Sequence, residues 1–224
     1  MAPSKITAKI VANSAVKAEV ARMGEILKVF EREYPEATCS LNYATPFQLL
    51  IATILSAQCT DERVNKVTPA LFKKYPDAHA MAKAKQEQIE KLIKTCGFFR
   101  SKAQSILETS TTLVEKHGGL VPRTLDELTP LRGVGRKTAN VVLGNAYGIP
   151  GLVVDTHVGR LSRRIGFTKE ADPVKVEAAM MKLVPREKWT IFSHYFIAHG
   201  RAQCMARSPK CEVCVVARYC PKIL

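Results

Sequence analysis

The chain has no run of about 18 uncharged apolar residues, so it offers no ordinary membrane-spanning helix. Its first twenty residues, MAPSKITAKIVANSAVKAEV, contain no apolar core of signal-peptide length, and export is not expected. Strand signals are also missing. No stretch alternates apolar and polar residues convincingly, and Val153-Val154 is too short to count. There is no internal repeat and no low-complexity segment. Acidic residues are scarce, with 20 Asp and Glu against 34 Lys and Arg, which leaves a formal net charge of +14 and a pI near 9.6. That excess calls for a polyanionic partner. Nucleic acid comes before an anionic membrane, because no basic amphipathic anchor stands out.

What is present reads as nearly all helix. Val20, Met23, Ile26, Leu27 and Phe30 form an apolar stripe at helical spacing. Thr45-Pro46 is an N-cap and first-turn proline opening PFQLLIATILSA. Asp61 opens DERVNKVTPALFKKY, QEQIEKLIKTC stops at Gly97, and RSKAQSILETSTTLVEKHGG ends at Gly118-Gly119. The short LDELTPL and then KTANVVLGNAYG follow. Beyond Pro150, helices are expected from near Asp155, over about 172–184 and over 186–199.

The link between LDELTPL and KTANVVLGNAYG is Arg132-Gly133-Val134-Gly135-Arg136. Its glycines permit positive φ and close backbone approach. The turn's N–H groups and the next helix's N-terminus make a natural anion site. No strand precedes it, so it is not a nucleotide-binding loop of the P-loop or Rossmann kind. A helix–hairpin–helix holding a DNA phosphate fits, with Arg132 and Arg136 adding charge and Thr138 in the following turn.

Lys137 stands at the start of that helix, where the macrodipole disfavours a cation, and Arg136 is beside it. A neutral amine is what an imine-forming nucleophile needs. A phosphate-binding or merely solvated lysine is the plainer alternative. Asp155, eighteen residues on, is placed to cap a helix or to serve as a carboxylate at a reaction centre; the roles are compatible, since one oxygen can cap while the other stays free. His157 reads as a structural histidine.

There are seven cysteines, an odd number without an export signal, which points to a reducing compartment. Cys39, Cys59 and Cys96 read as small packing residues. Cys204, Cys211, Cys214 and Cys220 are different. Their spacing, C-x6-C-x2-C-x5-C, groups four soft ligands near the C-terminus. Structural zinc sites favour two short knuckles, and only Cys211 and Cys214 form one. The compact asymmetric loop suits a [4Fe–4S] cluster better. Residues 186–224 carry seven Lys or Arg and two Glu, so the loop also presents positive charge.

LLIATILSAQCTD, LRGVGRKTANVVL, VVDTHVGRLSRR and the cysteine tail, in this order, resemble the endonuclease III family of DNA glycosylases in the helix–hairpin–helix superfamily. The resemblance covers nearly everything after about residue 37, and residues 17–36 fit the family's first helix. It implies an all-α protein of two helical domains. A six-helix barrel would span 39–149, with the helix–hairpin–helix at about 125–148. Residues 17–38 and 150–224 would form a discontinuous cluster domain, after a loose basic tail over 1–16.

The implied function is removal of oxidised pyrimidines of the thymine glycol type from double-stranded DNA, followed by β-elimination at the abasic site. Lys137 matches the Schiff-base nucleophile and Asp155 the catalytic carboxylate. Gln58 matches the residue that fills the gap left by the flipped base, and Phe98 a wedge on the opposite loop, where an aliphatic residue is commoner. Arg132 replaces a usual proline. Ser208 stands where a basic residue is common, with Arg207 and Lys210 as nearby DNA contacts. A monomer is expected, without membrane association, cytoplasmic and associated with the nucleoid in a bacterium, or in nucleus or organelle in a eukaryote. Two rivals remain at this point: a superfamily glycosylase without lyase activity, and a non-catalytic DNA-binding redox sensor.

Overall fold

The computed structural model describes residues 5–223, with side chains from residue 14 onward, and is all-α over that range. Eleven α-helices are described: α1 Lys5–Glu33, α2 Pro46–Ser56, α3 Asp61–Lys74, α4 Ala78–Ala82, α5 Gln86–Ile93, α6 Phe99–His117, α7 Leu125–Leu128, α8 Arg136–Tyr147, α9 Thr156–Arg164, α10 Pro173–Met181 and α11 Trp189–Ala202. The chain divides into two compact units, one of Met1–Thr38 with Leu152–Leu224 and one of Cys39–Gly151. The second boundary thus falls two residues beyond the expected 149/150.

The Cys39–Gly151 unit holds α2 to α8 around one core. α2 is buried almost all round, with Leu49, Leu50, Ile51, Ala52 and Leu55 fully enclosed. A helix apolar on every side has to sit at the centre of its unit. α8, α3 and α6 pack against it. Each such buried Leu or Ile contributes about 1.5–3 kcal/mol. Thr45 caps α2 by accepting from the Gln48 amide, and Pro46 occupies the first turn, where its missing N–H costs nothing. α4 is the one helix here that the sequence reading lacks. Its signal was Asp77, whose carboxylate accepts from the Ala80 amide.

In the other unit, α1 buries Met23, Ile26 and Phe30 against α11, and α9 and α10 complete the core. Phe30 meets Phe196 edge-on at 5.7 Å between ring centroids. α1 begins at Lys5, where a loose tail through residue 16 was expected; residues 1–4 lie outside the described range. The physical reason is composition. Residues 5–22 contain neither Gly nor Pro and are rich in Ala, Lys and Val, so nothing stops the helix before then.

Candidate active site and metal centre

The hairpin is held from beneath. Leu131 and Val134 are buried in the unit's core. Gly133 has φ +77, and a Cβ there would stand 3.1 Å from the Ser105 Cβ and 3.4 Å from Ile54 Cγ2. Only glycine satisfies both the left-handed conformation and that close approach. The Thr109 hydroxyl donates to the Arg132 carbonyl at 2.7 Å, tying the turn to α6.

This arrangement decides which groups can meet a ligand. The side chain of Val134 faces the core, and its amide donates to the Leu131 carbonyl at 3.0 Å. Val134 therefore shapes the turn and does not offer its N–H. Gly135 is the N-cap of α8 and supplies no side-chain cap, so the Lys137 and Thr138 amides of the first turn point out of the helix end. Arg136 and Lys137 are exposed, and Thr138 is half-buried. Arg132 has a use that the sequence reading did not contain: its guanidinium bonds both Glu108 carboxylate oxygens at 2.9 Å. That hydrogen bond holds the exposed Glu108 carboxyl below the ordinary carboxylate range.

Gln58 and Phe98 lie on neighbouring loops of the same unit. Both are exposed and both adopt positive φ, +51 and +55, which is uncommon for residues with a side chain. A Cβ on Gly97 would lie 3.6 Å from the Gln58 carbonyl oxygen, so the loops run against each other. Backbone strain held at exposed loop tips is common at functional sites.

Asp155 belongs to the other unit. It is the N-cap of α9, and its Oδ1 accepts from the Val158 amide at 2.8 Å. Among the described residues, the second carboxylate oxygen meets no donor. His157 is a packing residue. A Cβ on Gly200 would come within 2.7 Å of its Nδ1, and burial pushes its imidazole below the ordinary histidine value.

The four C-terminal cysteines line one cavity of about 410 Å³, counted with its open mouth. Arg164 and His199 line it too. Arg164 donates to the Met205 carbonyl at 2.6 Å and the Ala206 carbonyl at 2.8 Å, and lies 3.7 Å from Cys204 Sγ. Arg160 donates to the Cys204 carbonyl at 3.0 Å. His199 is buried, and burial pushes its imidazole down to about 4, so the ring is neutral near pH 7. The Tyr34 hydroxyl, kept protonated by burial, faces His199 Nδ1 at 2.8 Å. A neutral ring that accepts there carries its proton on Nε2, 3.5 Å from Cys214 Sγ. Burial also pushes the Cys214 and Cys220 thiols up, so a bound metal centre is needed to hold them as thiolates.

Among the described residues, no three Cys, His, Asp or Glu side chains are grouped to hold a single metal ion. Zinc would need its thiolates about 2.3 Å from one point. Four sulfurs spread around a shared cavity, with an imidazole N–H aimed at one of them, fit a polynuclear cluster. Arg164 and His199 escaped the sequence reading. The Arg163-Arg164 pair after Arg160 was visible in GRLSRR, but nothing there told that Arg164 would reach carbonyls forty residues on.

Comparison with known proteins agrees with this geometry. Residues 51–186 match the HhH-GPD superfamily of base excision DNA repair proteins, and residues 204–220 match the iron–sulfur binding domain of endonuclease III. Endonuclease III of Synechocystis sp. is 56% identical over 201 residues, covering 89% of this chain and 92% of that protein. A non-covalent endonuclease III–DNA complex matches with a TM-score of 0.86 at 43% identity, over 91% of this chain and 95% of that one. A trapped endonuclease III–DNA covalent intermediate, in an estranged-adenine complex, also matches with a TM-score of 0.86 at 43% identity, over 91% of this chain and 96% of that one. The chain belongs to the endonuclease III family and is a base excision DNA repair enzyme, a DNA N-glycosylase and abasic-site lyase with a [4Fe–4S] cofactor.

Proposed function

We propose that Lys137 is the nucleophile, that Asp155 is the catalytic carboxylate, and that the substrate is double-stranded DNA bearing an oxidised pyrimidine of the thymine glycol type or an abasic site. The observation that carries this reading is the position of Lys137: an exposed amine in the uncapped first turn of α8, next to a glycine hairpin that presents amides.

Gly133, Gly135 and the first turn of α8 bind a DNA phosphate through backbone N–H groups and the helix N-terminus. The phosphate also offsets the cost of a cation at that helix end. The damaged nucleotide leaves the stack at a cost of a few kcal/mol, offset by phosphate contacts and by Gln58 and Phe98, which enter the gap from their adjoining loops. Lys137 Nζ attacks C1′ and the base departs. The opened sugar becomes an imine, which acidifies the C2′ proton, and β-elimination breaks the 3′ phosphate bond. The free oxygen of Asp155 stabilises positive charge on the sugar and takes part in deprotonating Lys137. Phosphates elsewhere are met by exposed Arg136, Arg207 and Lys210.

Cys204, Cys211, Cys214 and Cys220 would hold the [4Fe–4S] cluster, whose chemistry here is to cross-link the C-terminal loop. The enzyme acts as a monomer, since one chain supplies every group named.

Borohydride trapping on duplex DNA containing thymine glycol tests the assignment, with Lys137→Ala alongside. A covalent adduct in the wild type alone is expected. An equal adduct in the variant would move the nucleophile elsewhere, and release of free base without any adduct would make the wild type a glycosylase that uses water.

A further inference from the structure

Two cysteines outside the cluster set lie at the roots of the two exposed loops. Cys59 follows Gln58, and Cys96 precedes Gly97 and Phe98. Cys96 is buried and Cys59 half-exposed, both are free thiols, and the Cys59 thiol acts directly on that of Cys96. The close approach of Gly97 to the Gln58 carbonyl holds the two segments together. The sequence reading took both cysteines for packing residues; the fold makes them a pair.

A third group gives the pair a chemistry. Lys102, one turn into α6, is only 6% exposed, and among the described residues its ammonium has no hydrogen-bond partner. A buried, unpartnered cation is costly and is relieved by an anion beside it. Burial pushes the Lys102 amine down, with both thiols opposing it; burial and the neighbouring Cys59 thiol push the Cys96 thiol up to about 11, with Lys102 and Arg63 opposing that. A thiolate next to a cation is the reactive form of cysteine.

We infer that Cys59 and Cys96, with Lys102 beside them, form a peroxide-sensitive dithiol that closes into a disulfide tying the Gln58 loop to the Phe98 loop. Cys59 is the accessible sulfur and reacts first. Its thiolate attacks one oxygen of a hydroperoxide; the S–O bond forms, the O–O bond breaks, and the leaving oxygen takes a proton and departs as water or alcohol. The Cys96 sulfur then displaces the hydroxyl from the Cys59 sulfenic acid as a second water, and the S–S bond forms. Both sulfurs are oxidised and one peroxide is reduced. Lys102 stabilises the attacking thiolate. Closure joins loops that, on the function proposed above, enter the DNA together, so it lowers incision; this consequence rests on that reading, whereas the dithiol does not.

The test uses the cluster-loaded protein and hydrogen peroxide, with the cluster's visible absorbance followed throughout. Non-reducing digestion and mass spectrometry are expected to yield a Cys59–Cys96 linked peptide pair, two hydrogens lighter than its separate parts and reversed by a thiol reductant. Lys102→Met is expected to slow its formation at least tenfold. Cys96→Ala is expected to accumulate a Cys59 sulfenic acid that dimedone traps. If Cys59 and Cys96 both remain alkylatable at peroxide doses that already bleach the cluster, the site is overturned. Incision of abasic DNA reads the consequence separately. A loss of at least tenfold, restored by reductant and absent in Cys96→Ala, supports the coupling; full crosslinking with unchanged incision supports the site and overturns its link to the DNA-entering loops.

Discussion

The hairpin and the cysteine segment both meet DNA phosphate in the proposed mechanism, yet they are built on opposite principles. The hairpin stands on a packed core. Leu131 and Val134 are buried, Gly133 is lodged against Ser105 and Ile54, and Thr109 grips the Arg132 carbonyl. Its amides are aimed before any ligand arrives. The cysteine segment, 204–223, has two short 3-10 turns and no longer helix, and Val216 is its buried residue among those described. What holds it is reach from elsewhere in its unit. Arg22 donates to the Tyr219 carbonyl at 2.7 Å, and Arg160 and Arg164 donate to carbonyls of residues 204–206. Backbone held by packing can serve as a rigid tool. Backbone held by charged hydrogen bonds and thiolates depends on the metal centre that the thiolates share.

The sharpest test of that contrast is Lys137→Ala. Strand incision at an abasic site falls at least about 10³-fold, because an amine nucleophile has no substitute in the first turn. Affinity for abasic DNA stays within about threefold, because the hairpin binds through amides that the substitution leaves in place. Single-turnover incision and fluorescence anisotropy measure the two separately. Next in size is Cys214→Ser. The protein loses the broad absorbance near ~400 nm expected of a [4Fe–4S] centre, and its melting temperature drops by roughly 10 °C or more. Hydrogen exchange should show the loss in 152–223 while α2 to α8 keep their protection. An unchanged melting curve would break the comparison, since the segment would then be stable on its own hydrogen bonds.

The same contrast explains what could be read from the sequence. Motifs whose chemistry is local were legible. Thr45-Pro46 announced the start of α2, the glycines of Arg132-Gly133-Val134-Gly135-Arg136 announced a turn, and Asp155 announced a cap. The cysteine spacing announced a soft metal centre. Contacts made across long separations were not legible. Nothing near Arg132 pointed to Glu108, twenty-four residues earlier, and nothing near Cys96 pointed to Cys59 and Lys102 as its neighbours. At Val134 a motif residue and a ligand contact look alike in a sequence, whereas the fold shows its side chain buried and its amide bonded to the Leu131 carbonyl.

Two hairpin glycines sharpen the contrast further. Gly133→Ala puts a Cβ into a left-handed residue and against Ser105, and should cost about 1–3 kcal/mol in denaturant unfolding. Gly135 has φ −87 with open space around its missing Cβ, so Gly135→Ala should cost no more than about 1 kcal/mol, the loss of a good N-cap residue. Equal costs would mean that packing beneath Gly133 is not what sets the turn.

The smallest expected effect concerns Arg132, whose guanidinium is held by Glu108. Its hydrogen bond keeps the Glu108 carboxyl below its ordinary value, so the pair is fully formed at neutral pH and is lost only as pH falls through that lowered value. Both groups are about half exposed, 44% and 46%, and exposed pairs add little to stability. Their consequence lies in DNA binding. With Glu108 ionised, the pair presents no net charge to a phosphate. Glu108→Gln leaves Arg132 a neutral partner and restores that charge, so affinity at low salt should rise about two- to fivefold, with the gain fading as salt is added. Arg132→Ala should lower affinity by less than about threefold, since the charge it removes was already matched. The reverse pattern, no gain from Glu108→Gln and a tenfold loss from Arg132→Ala, would show that Arg132 leaves Glu108 on binding. The hairpin would then be a rigid backbone cradle with one side chain that moves, and the division between packed and charge-held regions would run through the hairpin itself.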